Sequence, residues 1–189
     1  PEGQTSYPLT IRVVADNLIE ANEAFVVELR NVTGAKLIDG VASGTILDDD
    51  TATHIQSTTP DPSVVGQPYN VAVDVMAGAA APVGTVTISD GGVSCGPAAL
   101  VTVSALSSSA SCTLSSLTAG ARQLTATFAP ASAAFVGSSG SASHQVDPAS
   151  TTISVSGPAR ARIHTSTPFS FALSVNAPGG GTPTGMVTL

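Results

Sequence analysis

The chain has 189 residues, of which 42% are hydrophobic and only 10% charged, and its formal net charge is −7. That much apolar material excludes a wholly disordered chain, and an acidic balance disfavours a nucleic-acid partner, whose phosphates call for stripes of Lys and Arg. No run of about 18 apolar residues occurs, so no membrane insertion is expected within this segment.

Alternation of period two begins at once. Tyr7, Leu9, Ile11 and Val13 alternate with Pro8, Thr10 and Arg12, and Phe25, Val27 and Leu29 alternate with Val26, Glu28 and Arg30. One-sided apolar spacing of this kind predicts half-buried strands. The cluster Asn31–Gly34 predicts a turn, and Asn31-Val32-Thr33 within it matches a glycosylation acceptor, which matters only in a eukaryotic secretory pathway. Asp48, Asp49 and Asp50 then form three consecutive acids at the end of a strand-like run. Residues 1–50 hold nine acids and three bases, residues 51–189 only four acids and three bases. Two kinds of module are therefore expected to join near residue 50.

Beyond the junction the alternation sharpens. Tyr69, Val71, Val73 and Val75 form one run, and Leu124, Ala126 and Phe128 another, with Ala77–Gly84, Asp90–Gly92 and Ser138–Ser141 as turn-like breaks. With no Trp and 4% aromatics, a core has to come from aliphatic positions; Val71, Val73, Val75, Val86, Ile88, Leu114, Leu124, Ala126 and Phe128 are the expected set. Short strands at this spacing, without a helical stripe, predict antiparallel β-sandwiches.

Cys95 and Cys112 lie 17 apart, without metal-site spacing or a nearby His. A disulfide is expected, stapling neighbouring strands or a hairpin around the strand-like Leu100–Val103; two buried free thiols are the alternative. A disulfide implies an oxidising compartment.

An internal repeat follows. Pro68 returns as Pro168, and Tyr69, Val71, Val73 and Val75 return as Phe169, Phe171, Leu173 and Val175, at an offset of 100. The stretch Pro82–Ile88 returns as Pro183–Leu189 at an offset of 101, so the intervening loop gains one residue. A period this long means serial domains, far beyond solenoid repeats. Since Pro1 begins in mid-pattern and Leu189 follows about the third strand of the second copy, the chain is read as a piece of a longer protein.

Catalytic constellations are not expected. His54, His144 and His164 are scattered on polar stretches, and His144 near Asp147 reads as a surface pair. Gly137-Ser138-Ser139-Gly140 reads as a flexible turn and not as a nucleophile elbow. Lys36 is the chain's one Lys and follows no phosphate loop. Arg160 and Arg162, alternating on a strand-like stretch, are expected to face solvent.

Two resemblances organise these readings. Ala15-Asp16-Asn17-Leu18-Ile19-Glu20-Ala21-Asn22-Glu23-Ala24-Phe25 with Val27 and Leu29, closed by Gly44-Thr45-Ile46-Leu47-Asp48-Asp49-Asp50, resembles the C-terminal half of a Calx-beta domain, a calcium-binding module. Ser63–Pro68, Pro82–Gly91 and Leu117–Phe128 are similar to bacterial immunoglobulin-like repeats of large surface and adhesin-type proteins. The implied fold is all-β, a tandem of antiparallel Ig-like sandwiches with the first and last truncated. It divides into a partial Calx-beta-like domain at 1–50, a complete Ig-like domain at 51–148 and the N-terminal part of a second at 149–189.

By the first resemblance, Asp16 and Glu20 would join Asp48, Asp49 and Asp50 around calcium, with Glu23 a weaker candidate; this is a hard cation that takes six to eight oxygen ligands. Position 15 is Ala, where exchanger domains often carry another acid. The implied function is a non-catalytic stalk segment of a large bacterial protein, extracellular or at the cell surface. Its partners would be the neighbouring repeat modules, with calcium stiffening the junction. The alternative is adhesion to carbohydrate or a host protein through the loops Ala77–Val83 or Pro130–Gly140, where only Phe135 offers an aromatic anchor.

Overall fold

The computed structural model describes residues 6–186 and Thr188. Val187 and Leu189, which close the repeat, and Pro1 lie outside the described residues. Every regular element among those described is a strand: β1 (Glu23–Glu28), β2 (Val41–Ile46), β3 (Thr51–Thr59), β4 (Ser63–Val64), β5 (Tyr69–Ala77), β6 (Gly84–Ser89), β7 (Ser94–Ala99), β8 (Val101–Thr102), β9 (Ser107–Leu114), β10 (Gly120–Pro130), β11 (Ser139–Asp147), β12 (Thr151–Ser156) and β13 (Ser170–Val175).

The centre of the chain folds as a two-sheet sandwich. One sheet has the order β3-β5-β9-β8 and the other β4-β11-β10-β6-β7. All pairings are antiparallel except β4 with β11, which run parallel through Ser63↔Val146 and Val64↔Asp147. The period-two pattern explains the layering. Tyr69, Val71, Val73, Val75 and Ala77 of β5 are buried while Asn70 and Met76 are exposed. Val86 and Ile88 of β6 and Leu124, Ala126 and Phe128 of β10 face them from the second sheet. Each such large side chain taken fully out of water stabilises the fold by roughly 1.5–3 kcal/mol. All nine expected core positions are buried; Tyr69 and Val146 join them.

Cys95 and Cys112 are bonded, with Cα atoms 6.0 Å apart. Cys95 lies on β7 and Cys112 on β9, in different sheets. The bridge therefore ties the two layers across the core edge instead of stapling neighbouring strands or a hairpin. The stretch Leu100–Val103 yields only the two-residue β8, with Leu100 tucked against the core.

The flanking regions form two strand pairs. β1 pairs antiparallel with β2, and β12 with β13. Phe25 and Val27 are half-buried on β1, as the alternation predicts, but Leu29 lies outside the strand and is exposed. The run Tyr7–Val13 forms no strand and is exposed throughout. Alternation specifies a strand only where a neighbour supplies hydrogen-bond partners, and no described strand pairs with this run. Arg160 and Arg162 face solvent as expected, on an irregular stretch and not a strand.

Candidate functional site

The acid run Asp48–Asp50 connects β2 to β3, so the chain crosses from the first strand pair into the sandwich through it. Backbone groups order this crossing. The Glu20 amide donates to Asp48 Oδ2 at 2.9 Å, the Asp50 amide to Asp48 Oδ1 at 3.2 Å, and the Asp48 amide to Asn22 Oδ1 at 3.0 Å. Asp16 turns back on its own loop, accepting the Leu18 amide at 2.9 Å. Asp16, Glu20, Glu23, Asp48, Asp49 and Asp50 all line one cleft of about 380 Å³. Partial burial, and then the charges of Asp48, Asp49 and Asp16, push the Asp50 carboxyl above its ordinary range. The cleft thus gathers six carboxylates around a lining whose one basic residue is Arg12.

The expected donors share the cleft without closing on a point. Among the described residues no three His, Cys, Asp or Glu side chains are grouped as a bound metal ion needs. Both Asp48 oxygens already accept backbone amides, and the observed contact of Glu20 is through its backbone. The donor chemistry fits a hard cation, since every side chain of the set is a carboxylate.

The sandwich end beneath this cleft is built from the loops after β5 and β10. Val136 donates its amide to the Asp49 carbonyl at 2.7 Å, and Thr51 Oγ1 lies 2.7 Å from both the Val136 carbonyl and Ser138 Oγ. Gly78 lies against Glu20 and Asp48 so closely that a Cβ there would come within 1.6 Å of the Glu20 carbonyl oxygen and 2.3 Å of Asp48 Oδ2. The two loops considered for adhesion thus both contribute to the junction, Ala77–Val83 through Gly78 and Pro130–Gly140 through Val136 and Ser138.

A second polar constellation, absent from the sequence reading, lies inside the sandwich. His144 on β11 is not a surface partner of Asp147: it is only 1% exposed and stacks on Tyr69 with ring centroids 4.0 Å apart. Its Nδ1 is 3.2 Å from Asp61 Oδ1 and 3.3 Å from Thr58 Oγ1, and its Nε2 is 2.8 Å from Ser63 Oγ. A carboxylate only accepts, so Nδ1 carries the proton and Nε2 accepts from the Ser63 hydroxyl. Burial pushes the imidazole below its ordinary range, against the opposing pull of Asp61 and Asp90. The ring is therefore neutral near pH 7.

The order hydroxyl, imidazole, carboxylate is that of a nucleophilic relay. Here it is sealed: Ser63 is 0% exposed, so no substrate carbonyl reaches the hydroxyl. Its physical work is to fasten the segment that switches sheets between β3 and β4 onto β11.

Beside it, Ser116 donates to Asp90 Oδ2 and Tyr69 OH lies 3.0 Å from Ser116 Oγ. Asp90 Oδ1 accepts the amides of Gly92 at 2.8 Å and Val93 at 2.7 Å, closing the β6–β7 turn. Burial pushes the Asp90 carboxyl up, but the bonds from Ser116, Val93 and Gly92, with the Arg122 charge, outweigh it and hold it below its usual range. Parity was the available signal for His144, which shares the inward phase of Val146 on β11. Nothing in spacing connects it to Ser63, 81 residues away. His54 is exposed on β3, and His164 sits outside any strand.

Comparison with known proteins identifies one segment. Residues 55–147 match the family model of the bacterial Ig-like domain (group 3). That span runs from Ile55 in β3 to the last residue of β11, and so takes in strands of both sheets. A search of curated proteins found no match to the chain. Among the described residues no helix is long and apolar enough to cross a membrane.

Proposed function

We propose, from the match of residues 55–147 to the bacterial Ig-like family model, that the chain is a non-catalytic spacer of a bacterial surface protein, outside the cytoplasm, in which sandwich units in series hold other parts of the molecule at a distance. The observation that carries this reading is where the chain enters and leaves. It enters at Thr51, paired with Ala77 at the end of β5, and leaves at Asp147, beside Val65 just ahead of the start of β5. Entry and exit are thus separated by the nine residues of β5, about 30 Å of strand. A unit with its ends at opposite poles extends a chain; one with adjacent ends does not. The disulfide fits an oxidising compartment.

The first strand pair and its acid cleft supply the finer part of the proposal. On the Calx-beta resemblance, calcium would be held by Asp16, Glu20, Asp48, Asp49 and Asp50, with Glu23 at the margin. Bound there it would add positive charge to a cleft whose one basic lining residue is Arg12, against six carboxylates. Metal that binds the folded arrangement alone stabilises it by an amount that grows with the logarithm of its concentration relative to Kd, so the junction would stiffen.

Calorimetric titration of the full chain with Ca²⁺ tests this, paired with limited proteolysis around Thr51–Thr53. Saturable heat, lost in Asp48→Asn/Asp50→Asn, and slower cutting with calcium are expected. Absence of heat together with equal cutting in calcium and chelator would remove calcium from the proposal and leave the spacer standing.

A further inference from the structure

The same loop, in two successive units, touches the unit before it. In the central sandwich this is the loop after β5, bracketed by Val75 and Pro82. Its counterpart after β13 is bracketed by Val175 and Pro183, the repeat positions of those two residues. Gly78 of the first loop lies against the Glu20 carbonyl and the Asp48 carboxylate of the preceding strand pair. Gly180 of the second donates its amide to the Val65 carbonyl of the central sandwich at 2.9 Å. Opposite it stands Gly66, with φ of 78°, where a Cβ would come 2.6 Å from the Gly180 Cα. Backbone meets backbone at both places, and the approach requires glycine on the loop side at Gly78 and on the pole side at Gly66.

The entering chain lies beside the loop each time. Thr51 of β3 pairs with Ala77, the residue before Gly78, and Thr151 of β12 pairs with Val175. At both junctions this loop therefore adds a contact to the covalent link, and at the first the Val136 amide, on the loop after β10, also donates to the Asp49 carbonyl. A single covalent link leaves a swivel; a second contact beside it fixes the tilt.

We infer that the loop following the second long strand is a docking surface whose partner is the far pole of the preceding unit, used alike at both junctions of this chain. The inference rests on the reading of serial units and adds that they are seated at a set angle instead of swinging freely. It also accounts for the composition of both loops, Gly78-Ala79-Ala80-Ala81-Pro82 and Pro178-Gly179-Gly180-Gly181. Bulky side chains would hold the poles apart, and the small residues carry no aromatic or Arg anchor for a foreign ligand.

Backbone ¹⁵N relaxation on the full chain tests it, read separately at β1–β2, β5 and β13. One shared rotational correlation time is expected in the native chain. Gly78→Val should uncouple β1–β2 from β5 while β13 stays coupled. Gly180→Pro, which removes the donor to Val65 and adds bulk against Gly66, should uncouple β13 alone. Ala80→Val, at an exposed position of the same loop, should leave the shared time unchanged, and the thermal melt of the central sandwich should be the same in all three. Folded units with unequal correlation times in the native chain would overturn the docking and spare the serial-unit reading. Shared tumbling that survives both glycine substitutions would overturn it as well. Random-coil shifts over β12–β13 would instead strike the serial-unit reading itself.

Discussion

β5 and β13 carry one pattern in two settings. Val71 and Val73 are 0% and 1% exposed, whereas their repeat counterparts Phe171 and Leu173 are 38% and 45% exposed. The partner strands match as well: β3 lies against β5 as β12 lies against β13, in each case antiparallel. What differs is the second layer. β5 looks across at β6 and β10, while among the described residues no sheet faces β12–β13. Period-two spacing thus specifies a strand and its neighbour, and burial requires an opposing sheet. The hydrophobic driving force follows the area removed from water and not the pattern itself.

The contrast is sharpest in the core. Leu124→Ala should destabilise the central sandwich by about 2–5 kcal/mol, measured by urea denaturation. Leu173→Ala, in a half-open sheet, should cost no more than about 0.5 kcal/mol, as an exposed substitution does. Equal costs would mean that β13 is packed as tightly as β5, and the comparison would fail. Next in size is the disulfide. By chain entropy, a closed loop of this length is worth about 3 kcal/mol, so reduction should lower the melting temperature of the central sandwich and leave the β12–β13 amides unchanged. An unaltered melt under reductant would mean that the bridge contributes no net stability.

Ser63→Ala should cost roughly 1–3 kcal/mol, because His144 Nε2 is left buried without its donor. A scan of denaturant midpoints reads this directly, and Ser154→Ala on the exposed β12 should show no comparable loss. The smallest effect is that of pH. The folded His144 sits below its ordinary value of 6.5, so the unfolded chain takes up the proton first as pH falls. The stabilisation is present above 6.5 and drains away as pH drops toward the depressed folded value. The melting temperature should fall over that window, and His144→Gln should flatten the slope. Asp61, Asp90 and Arg122 are the charged groups around this ring. At the junction the sign reverses. Asp50 is raised in the folded chain by partial burial and then by the charges of Asp48, Asp49 and Asp16, so its protonation in acid favours the folded chain.

The sandwich was legible because its inward residues are aliphatic and strictly alternating; Val71, Val73, Val75, Leu124, Ala126 and Phe128 needed no other clue. The disulfide was legible as a pair but not as a tie between layers, since residue spacing does not tell a hairpin from a crossing. Tyr7–Val13 carried the alternation yet found no described strand to pair with, a matter of tertiary context. His144 misled because a polar residue at an inward position is assigned by its partners, and Ser63 and Asp61 reach it only after the chain changes sheets. The acid run was legible as a junction. How near its carboxylates approach one another depends on loop conformations that composition does not encode.

The parallel pairing of β4 with β11 has a mechanical consequence. Tension applied between Thr51 and Asp147 drags the strand leading into β4 one way and β11 the other. The bonds between two strands pulled lengthwise in opposite senses lie across the force and are strained together, so they do not unzip one at a time. With Ser63 and His144 pinned across that same seam, the unit should hold its length under load and then give way all at once.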